Sequence, residues 1–273
     1  IGVSQSLVVQ YVHIPGASTA LPFLVIIAFL VVRGQGLPAR AFVVERLPEV
    51  GTGRINPKVV VPLVVVVGYL ILDVFDTKFL DALTVTLAWA IIMLSIVVLL
   101  GYAGQLSLAQ FALGGGAALL AGHLIDGVGL PFGVAAILAA AAVTAAGLVF
   151  ALPALRTRGI DIAVVTLGIS VSVFAMIFTN ASLTGGTLGI PTGERTLFGI
   201  DIDPILQPER YALLVFLAFV VCALFVANLR RGAAGRRLIA VRTNERAAAA
   251  LGISVFAAKL YAFAVAAALA AIG

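Results

Sequence analysis

The chain has 273 residues, 62% of them hydrophobic and only 11% charged, with a formal charge of +5. Soluble domains average about 25% charged and roughly 45–50% apolar residues, and a water-soluble globule of this size has no interior large enough to hide the excess. A cytosolic enzyme, a nucleic-acid-binding domain and a disordered regulator are thereby excluded, and the surplus apolar surface is assigned to lipid.

Apolar runs of bilayer-crossing length, about 17–25 residues, fall in order at Ile14–Val32, Val59–Phe75, Leu83–Leu100, Leu106–Leu124, Leu130–Leu152, Ile160–Phe178, Tyr211–Asn228 and Val255–Ile272. The runs are continuous rather than alternating, so they read as helices and not as barrel strands. Helices also satisfy their own backbone hydrogen bonds in lipid. The expected fold is all-α, a polytopic transmembrane helix bundle of about eight spans. The weakest run is Leu106–Leu124, where Gln105, Ser107, Gln110 and the triplet Gly114–Gly115–Gly116 make the first half polar and conformationally loose.

Letting every run cross sorts the scarce charges by side. Arg33, Arg40, Arg54, Arg156, Arg158, Arg230 and Arg237 then share one side, while Asp73, Asp76, Asp126, Glu194, Asp201 and Glu209 fall on the other. Lys and Arg concentrate in cytoplasmic loops, so loops 33–58, 153–159 and 229–259 are expected in the cytoplasm of a multi-pass plasma (inner) membrane protein. The positive charge is thus a topology and lipid-headgroup signal, with no nucleic-acid partner implied. The chain begins at Ile1 and its last apolar run is still in progress at Gly273, so both ends read as cut. A unit boundary is expected in a cytoplasmic linker at 39–57, between a one-span piece at 1–38 and a longer block at 58–273.

Chemistry-bearing motifs are few. The lone Cys222 precludes an internal disulfide. His13 and His123 have no ligand-spaced neighbours, and neither a metal site nor a catalytic residue is expected. The sequence holds no Gly-Lys-Ser/Thr phosphate loop, so ATP is not hydrolysed by these residues. Nearly all ionisable residues lie outside the spans, which argues against a proton-coupled carrier.

The richest segment is the loop Leu229–Lys259. Thr243 or Asn244 is a good N-cap, Glu245 suits the positive end of a helix dipole, and Gly252 suits the position that ends a helix. A short two-turn helix is predicted over Asn244–Leu251, with an alanine-rich face including Ala248 suited to docking in another protein's groove. The string G-x-x-x-x-A-x-R-x-N-E-x-A-A-x-x-L-G-I, from Gly235 to Ile253, resembles the EAA-type coupling loop of branched-chain amino-acid ABC permeases of the LivM type. Further matches follow the same family. Gly101–Gly122 resembles its G-Y-A-G-Q-x-S-L signature, Leu155–Leu167 its L-R-x-R-G-x-x-x-A-x-x-T-L stretch, and Leu183–Ile190 its L-T-G-G-x-x-G outer loop. The piece Phe23–Arg40 resembles the tail of the partner permease type, LivH, so residues 1–38 are expected to close a LivH-like unit fused ahead of a LivM-like one. Relatives often carry a His at the position of Gln110 and an aromatic residue at that of Ala118.

The resemblance implies a transport subunit rather than an enzyme, one of two permease units served by two cytoplasmic ABC ATPase subunits and an extracytoplasmic amino-acid-binding protein. ATP and Mg would bind those partners, with no cofactor on this chain. Arg242, Asn244, Glu245, Ala248, Leu251 and Gly252 would couple to the ATPase. Gln105, Ser107, Gln110 and Thr166 are candidate residues of the substrate path, and Thr184, Gly185 and Gly186 candidate residues of the outer lip. Branched-chain amino acids are the expected cargo, with urea or short amides as an alternative and a passive channel or secondary carrier as a rival class.

Overall fold

A computed structural model describes residues 17–33, 51–155, 160–192, 196–197 and 199–273. The N-terminal residues 1–16, most of the expected linker, Arg156, Arg158, Glu194 and Arg195 lie outside the described residues.

Among the described residues the fold is all-α apart from one short hairpin. Helix α1 is Ala17–Arg33 and α2 is Pro57–Asp73. The start of α2 is dictated locally: Asn56 caps it by accepting from the Lys58 N–H at 3.1 Å, and Pro57 supplies a pre-set φ where no intrahelical donor is needed. Helix α3, Thr77–Ile96, continues through a wider π-turn at Val97–Tyr102. Helix α4 is Gln110–Val128, α5 is Phe132–Leu155, and α6 is Ile160–Val173, prolonged by a second π-turn at Phe174–Phe178. The outer segment holds α7, Ala181–Thr184, a 3-10 turn at Gly186–Leu188, and strands β1, Thr196–Leu197, and β2, Ile200–Asp201. The two strands pair antiparallel, Thr196 opposite Asp201. Helix α8, Pro208–Arg231, returns to the basic end, where α9, Ala233–Thr243, and α10, Glu245–Ala250, precede the last helix, α11, Val255–Ile272.

Five helices are long and apolar enough to cross a membrane: Thr77–Tyr102, Gln110–Val128, Phe132–Leu152, Pro208–Arg231 and Val255–Ile272. Ile162–Phe178 is apolar but shorter, and α1 and α2 have 17 residues each. The expected bundle is therefore present, and five of its helices among the described residues have full crossing length.

The core is built around α11. Ala262, Ala266 and Ala270 are fully buried at helical spacing and form a ridge of small side chains. Such ridges let helices approach closely, which is where packing energy comes from when lipid is the solvent. Gly114 of α4 meets this ridge, since a Cβ there would stand 3.0 Å from the Ala270 carbonyl oxygen. Around the ridge Ile91, Leu99, Ile162, Val226 and Phe263 complete one cluster, and a second joins Ile71 and Leu80 to Ala212 and Phe216 of α8. The opposite faces carry Val65, Ile137 and Val221, all well exposed and suited to lipid. Helix α1 packs against α6.

Two features add detail to the sequence expectations. The run Leu106–Leu124 is not helical from its start: residues 103–109 are extended or turning, and α4 begins only at Gln110. Gly104 explains the break, because its φ of +65° lies in the left-handed region that side-chain-bearing residues resist. The loop Leu229–Lys259 was expected to hold one short helix, yet Ala233–Thr243 forms another before it.

Candidate transport cavity and coupling segment

The broken run creates the most distinctive local chemistry. After the π-turn the chain closes on itself, with the Gln105 N–H donating to the Leu99 carbonyl at 2.9 Å. It then passes beside α6, where the Leu108 N–H donates to Thr166 Oγ1 at 3.0 Å. The Thr166 hydroxyl in turn donates to the Ile162 carbonyl of its own helix at 2.9 Å, so it is oriented to receive that N–H. Thr166 lies six residues beyond Ile160, so the joint sits about 9 Å along α6.

Helix α4 starts bare. Its N-cap residue is Ala109, which has no side-chain oxygen to offer and makes no capping bond. The first turn closes through the Leu113 N–H to the Ala109 carbonyl, 3.1 Å. The N–H groups of Gln110, Phe111 and Ala112 have no partner among the described residues. Gln110 is only 5% exposed, and its Oε1 is buried without a hydrogen bond. Gln105 is likewise buried with an unpartnered Oε1, its Nε2 reaching the Ala103 carbonyl at 3.5 Å.

A cavity of roughly 180 Å³ opens directly against this helix start. Ser107, Gln110 and Thr166 form its polar corner, and Phe150, Val173 and Phe263 are among the residues of its apolar wall. The structure thus brings together three of the four expected path residues, with Gln105 buried one step behind them. Thr184, Gly185 and Gly186 do not line the cavity. They form the tight turn after α7, beside the contact in which His123 Nε2 meets the Leu183 carbonyl at 2.8 Å.

The second candidate site lies at the basic end. Asn244 Oδ1 accepts from the Arg246 and Ala247 N–H groups at 3.0 and 3.1 Å, which caps α10 as its sequence predicts. Gly252, at φ +81°, reverses the chain so that the Ile253 N–H reaches the Ala248 carbonyl at 3.0 Å. Leu251 is 80% exposed at the end of this helix. Ala248 departs from the expectation. It is 2% exposed and faces the protein, so the outward face belongs to Arg246, Ala249, Ala250 and Leu251.

Two polar links tie this segment to the cavity. Arg242 donates to the Gly101 carbonyl, and its side chain lies where a Cβ on Gly104 would stand. Glu245 pairs with Lys259 at 2.6 Å, the lysine side chain 8% exposed. Lys259 sits one helical turn before Phe263 and two before Ala267, both of which line the cavity. Sequence reasoning did not include Lys259 among the coupling residues. The signal available was a single cation in the first turns of an otherwise apolar helix, which is buried only at high cost unless paired.

A family model described as branched-chain amino acid transport system / permease component matches residues 79–273, a stretch that contains the cavity and the coupling segment. The chain belongs to this family. Two relatives are each described as the high-affinity branched-chain amino acid transport system permease protein LivM. The one from Salmonella typhimurium (strain LT2) is 34% identical over 215 residues, covering 70% of this chain and 50% of the relative. That from Escherichia coli (strain K12) is 33% identical over 214 residues, with 70% and 50% covered. The chain spans about half the length of the curated relatives it matches. No solved structure matches it. Family membership and the apolar helices together make this a multi-pass inner-membrane permease component.

Proposed function

We infer that the chain is the membrane-spanning part of an ATP-driven importer of branched-chain amino acids. Two cytoplasmic ABC ATPase subunits carry ATP and Mg, an extracytoplasmic binding protein delivers the cargo, and a second permease unit completes the pore. Residues Arg242, Asn244, Glu245, Leu251 and Gly252 form or brace the docking element, and Ser107, Gln110 and Thr166 stand on the cargo's path with Gln105 behind them.

The observation that supports this most directly is α10, a short capped helix held out at the basic end with Leu251 four-fifths exposed. An isolated two-turn helix is not stable alone in water, and an apolar residue presented at its end suits a groove on another protein. The cavity supports the cargo assignment, because a mainly apolar wall with a few amide and hydroxyl groups suits an aliphatic side chain carried on a polar backbone.

The test is leucine uptake by vesicles holding the full complex, with and without the ATPase subunits and ATP. Uptake is expected only with both. Leu251→Arg should enter the membrane normally yet lose roughly tenfold or more of the cargo-stimulated ATP hydrolysis. Uptake that persists without the ATPases refutes the importer reading. Wild-type coupling in Leu251→Arg refutes the docking role of α10.

A further inference from the structure

A further cavity, of roughly 580 Å³, lies at the basic end. It is bounded by the π-turn Val97–Tyr102, the later turns of α8 and the segment that leads into α2. Arg242 and Tyr102 are its polar side chains, and Leu94, Val97, Leu100 and Val226 belong to its apolar lining. Val97 and Leu100 are each more than two-fifths exposed, so this wall is continuous with the lipid-facing surface.

Arg230 stands at the edge of the same cavity. Its side chain crosses the lining residue Gly53, where a Cβ would lie 3.0 Å from the Arg230 Cγ. Its Nε is buried with no hydrogen-bond partner. No described carboxylate lines the cavity, and Glu245, three residues from Arg242, is held by Lys259. A buried guanidinium donor left without an acceptor is costly, and with a second guanidinium in the lining the group that suits this place is an anion.

The cavity does not end there. It shares Ala223 and Ala227 with a groove of roughly 390 Å³ between α2 and α8. That groove is apolar throughout, with Val60, Val64 and Val67 on one helix and Phe216 and Val220 on the other. From Ala227 back to Phe216 it follows α8 for eleven residues, about 16 Å at 1.5 Å each. This is about half the ~30 Å hydrocarbon thickness of a bilayer, the depth of one leaflet.

We propose that cavity and groove together hold one anionic phospholipid of the leaflet at the basic end. Its phosphate pairs with Arg230 and Arg242, and one acyl chain lies in the groove between α2 and α8. Basic pockets between membrane helices are suited to anionic headgroups, and Arg230 and Arg231 close α8 at the level where those headgroups lie. A soluble phosphate would use the basic cavity alone and gain nothing from an apolar groove of leaflet depth. The site requires only that the chain sits in a membrane, so it stands or falls apart from the importer reading.

The experiment uses the assembled permease complex in nanodiscs of phosphatidylcholine. Phosphatidylglycerol with a photoreactive diazirine on one acyl chain is added, and labelled peptides are mapped by mass spectrometry. Labelling is expected within 60–67 of α2 and 216–227 of α8. Excess unlabelled phosphatidylglycerol should remove it, whereas added phosphatidylcholine or millimolar inorganic phosphate should not. Arg230→Gln should lower labelling of these stretches roughly fivefold, the effect of one cation near an anionic headgroup, with Arg230→Lys close to wild type. Ala223→Phe, whose ring enters the space common to cavity and groove, should lower it as well.

The map and the competition use the wild-type complex and so decide the matter even where a variant fails to assemble. Labelling absent from the two stretches, as when a helix of another subunit fills the groove, overturns the proposal. So does displacement by phosphatidylcholine as effective as that by phosphatidylglycerol. Displacement by inorganic phosphate assigns the cavity to a soluble anion and overturns it too. Labelling unchanged in assembled Arg230→Gln and Ala223→Phe complexes places the lipid elsewhere.

Discussion

Thr166 does two jobs with one hydroxyl. It donates to the Ile162 carbonyl and accepts the Leu108 N–H, so it fastens the non-helical segment before α4 to α6. Thr166→Val keeps the shape and removes the acceptor, which leaves the Leu108 N–H unsatisfied at a cost of about 1–3 kcal/mol. A lower Tm of the purified complex is expected, with Thr166→Ser close to wild type because the oxygen survives. Equal Tm values for the Val and Ser variants would show that the strand does not depend on this bond. Gly104 next to it is fixed for two reasons: its left-handed φ, and the Arg242 Cγ that would lie 2.9 Å from an added Cβ.

At the scale of elements, the partner exposures of the Glu245–Lys259 pair decide what its mutations do. Lys259 is buried and Glu245 is two-fifths exposed. Removing the glutamate strands a buried cation, whereas removing the lysine leaves a carboxylate that water can still reach. Glu245→Gln should therefore destabilise more than Lys259→Met, though by less than the ~3–5 kcal/mol seen for fully buried pairs. Thermal unfolding of both variants and of the swapped Glu245→Lys/Lys259→Glu protein checks this. A Lys259→Met variant less stable than Glu245→Gln would contradict the burial argument. The same segment shows why Ala248 misled. A six-residue helix of two charged residues followed by four alanines has no hydrophobic periodicity strong enough to reveal its inner face, which is chosen by the Ile253–Ala248 turn and by α11.

Over the whole molecule, the long-range order of the chain was legible wherever it depends on transfer between water and lipid. Apolar runs located the helices to within a few residues, Val255–Ile272 without any shift, and the caps at Asn56 and Asn244 follow from side chains next to the backbone they serve. What stayed hidden depends on contacts between distant residues. Leu108 and Thr166 are 58 positions apart, and Tyr102 meets the Val226 carbonyl from 124 positions away. The cavity wall is likewise drawn from several helices, so no local pattern marks it. Helix α9 was missed for another reason: its Arg236, Arg237 and Arg242 read as topology signals and masked the helical spacing of the buried Leu238 and Val241. Orientation itself is testable. Cys222 is buried, so it gives a quiet background for cysteine labelling. A cysteine at Leu251 should react with a membrane-impermeant maleimide only after the cytoplasmic side is opened, and one at Ile205, 86% exposed, should react from outside. The reverse pattern would invert the topology.

The two polar links carry a consequence for how load spreads. Arg242 and Glu245 are three residues apart, yet one grips the turn ahead of the bare helix and the other grips the foot of α11. The turn at Gly101 and the foot of α11 are therefore anchored to a single short stretch of backbone, as the two jaws of a pair of tongs share one rivet. A change of pitch or length between Arg242 and Glu245 is accordingly expected to disturb both contacts together.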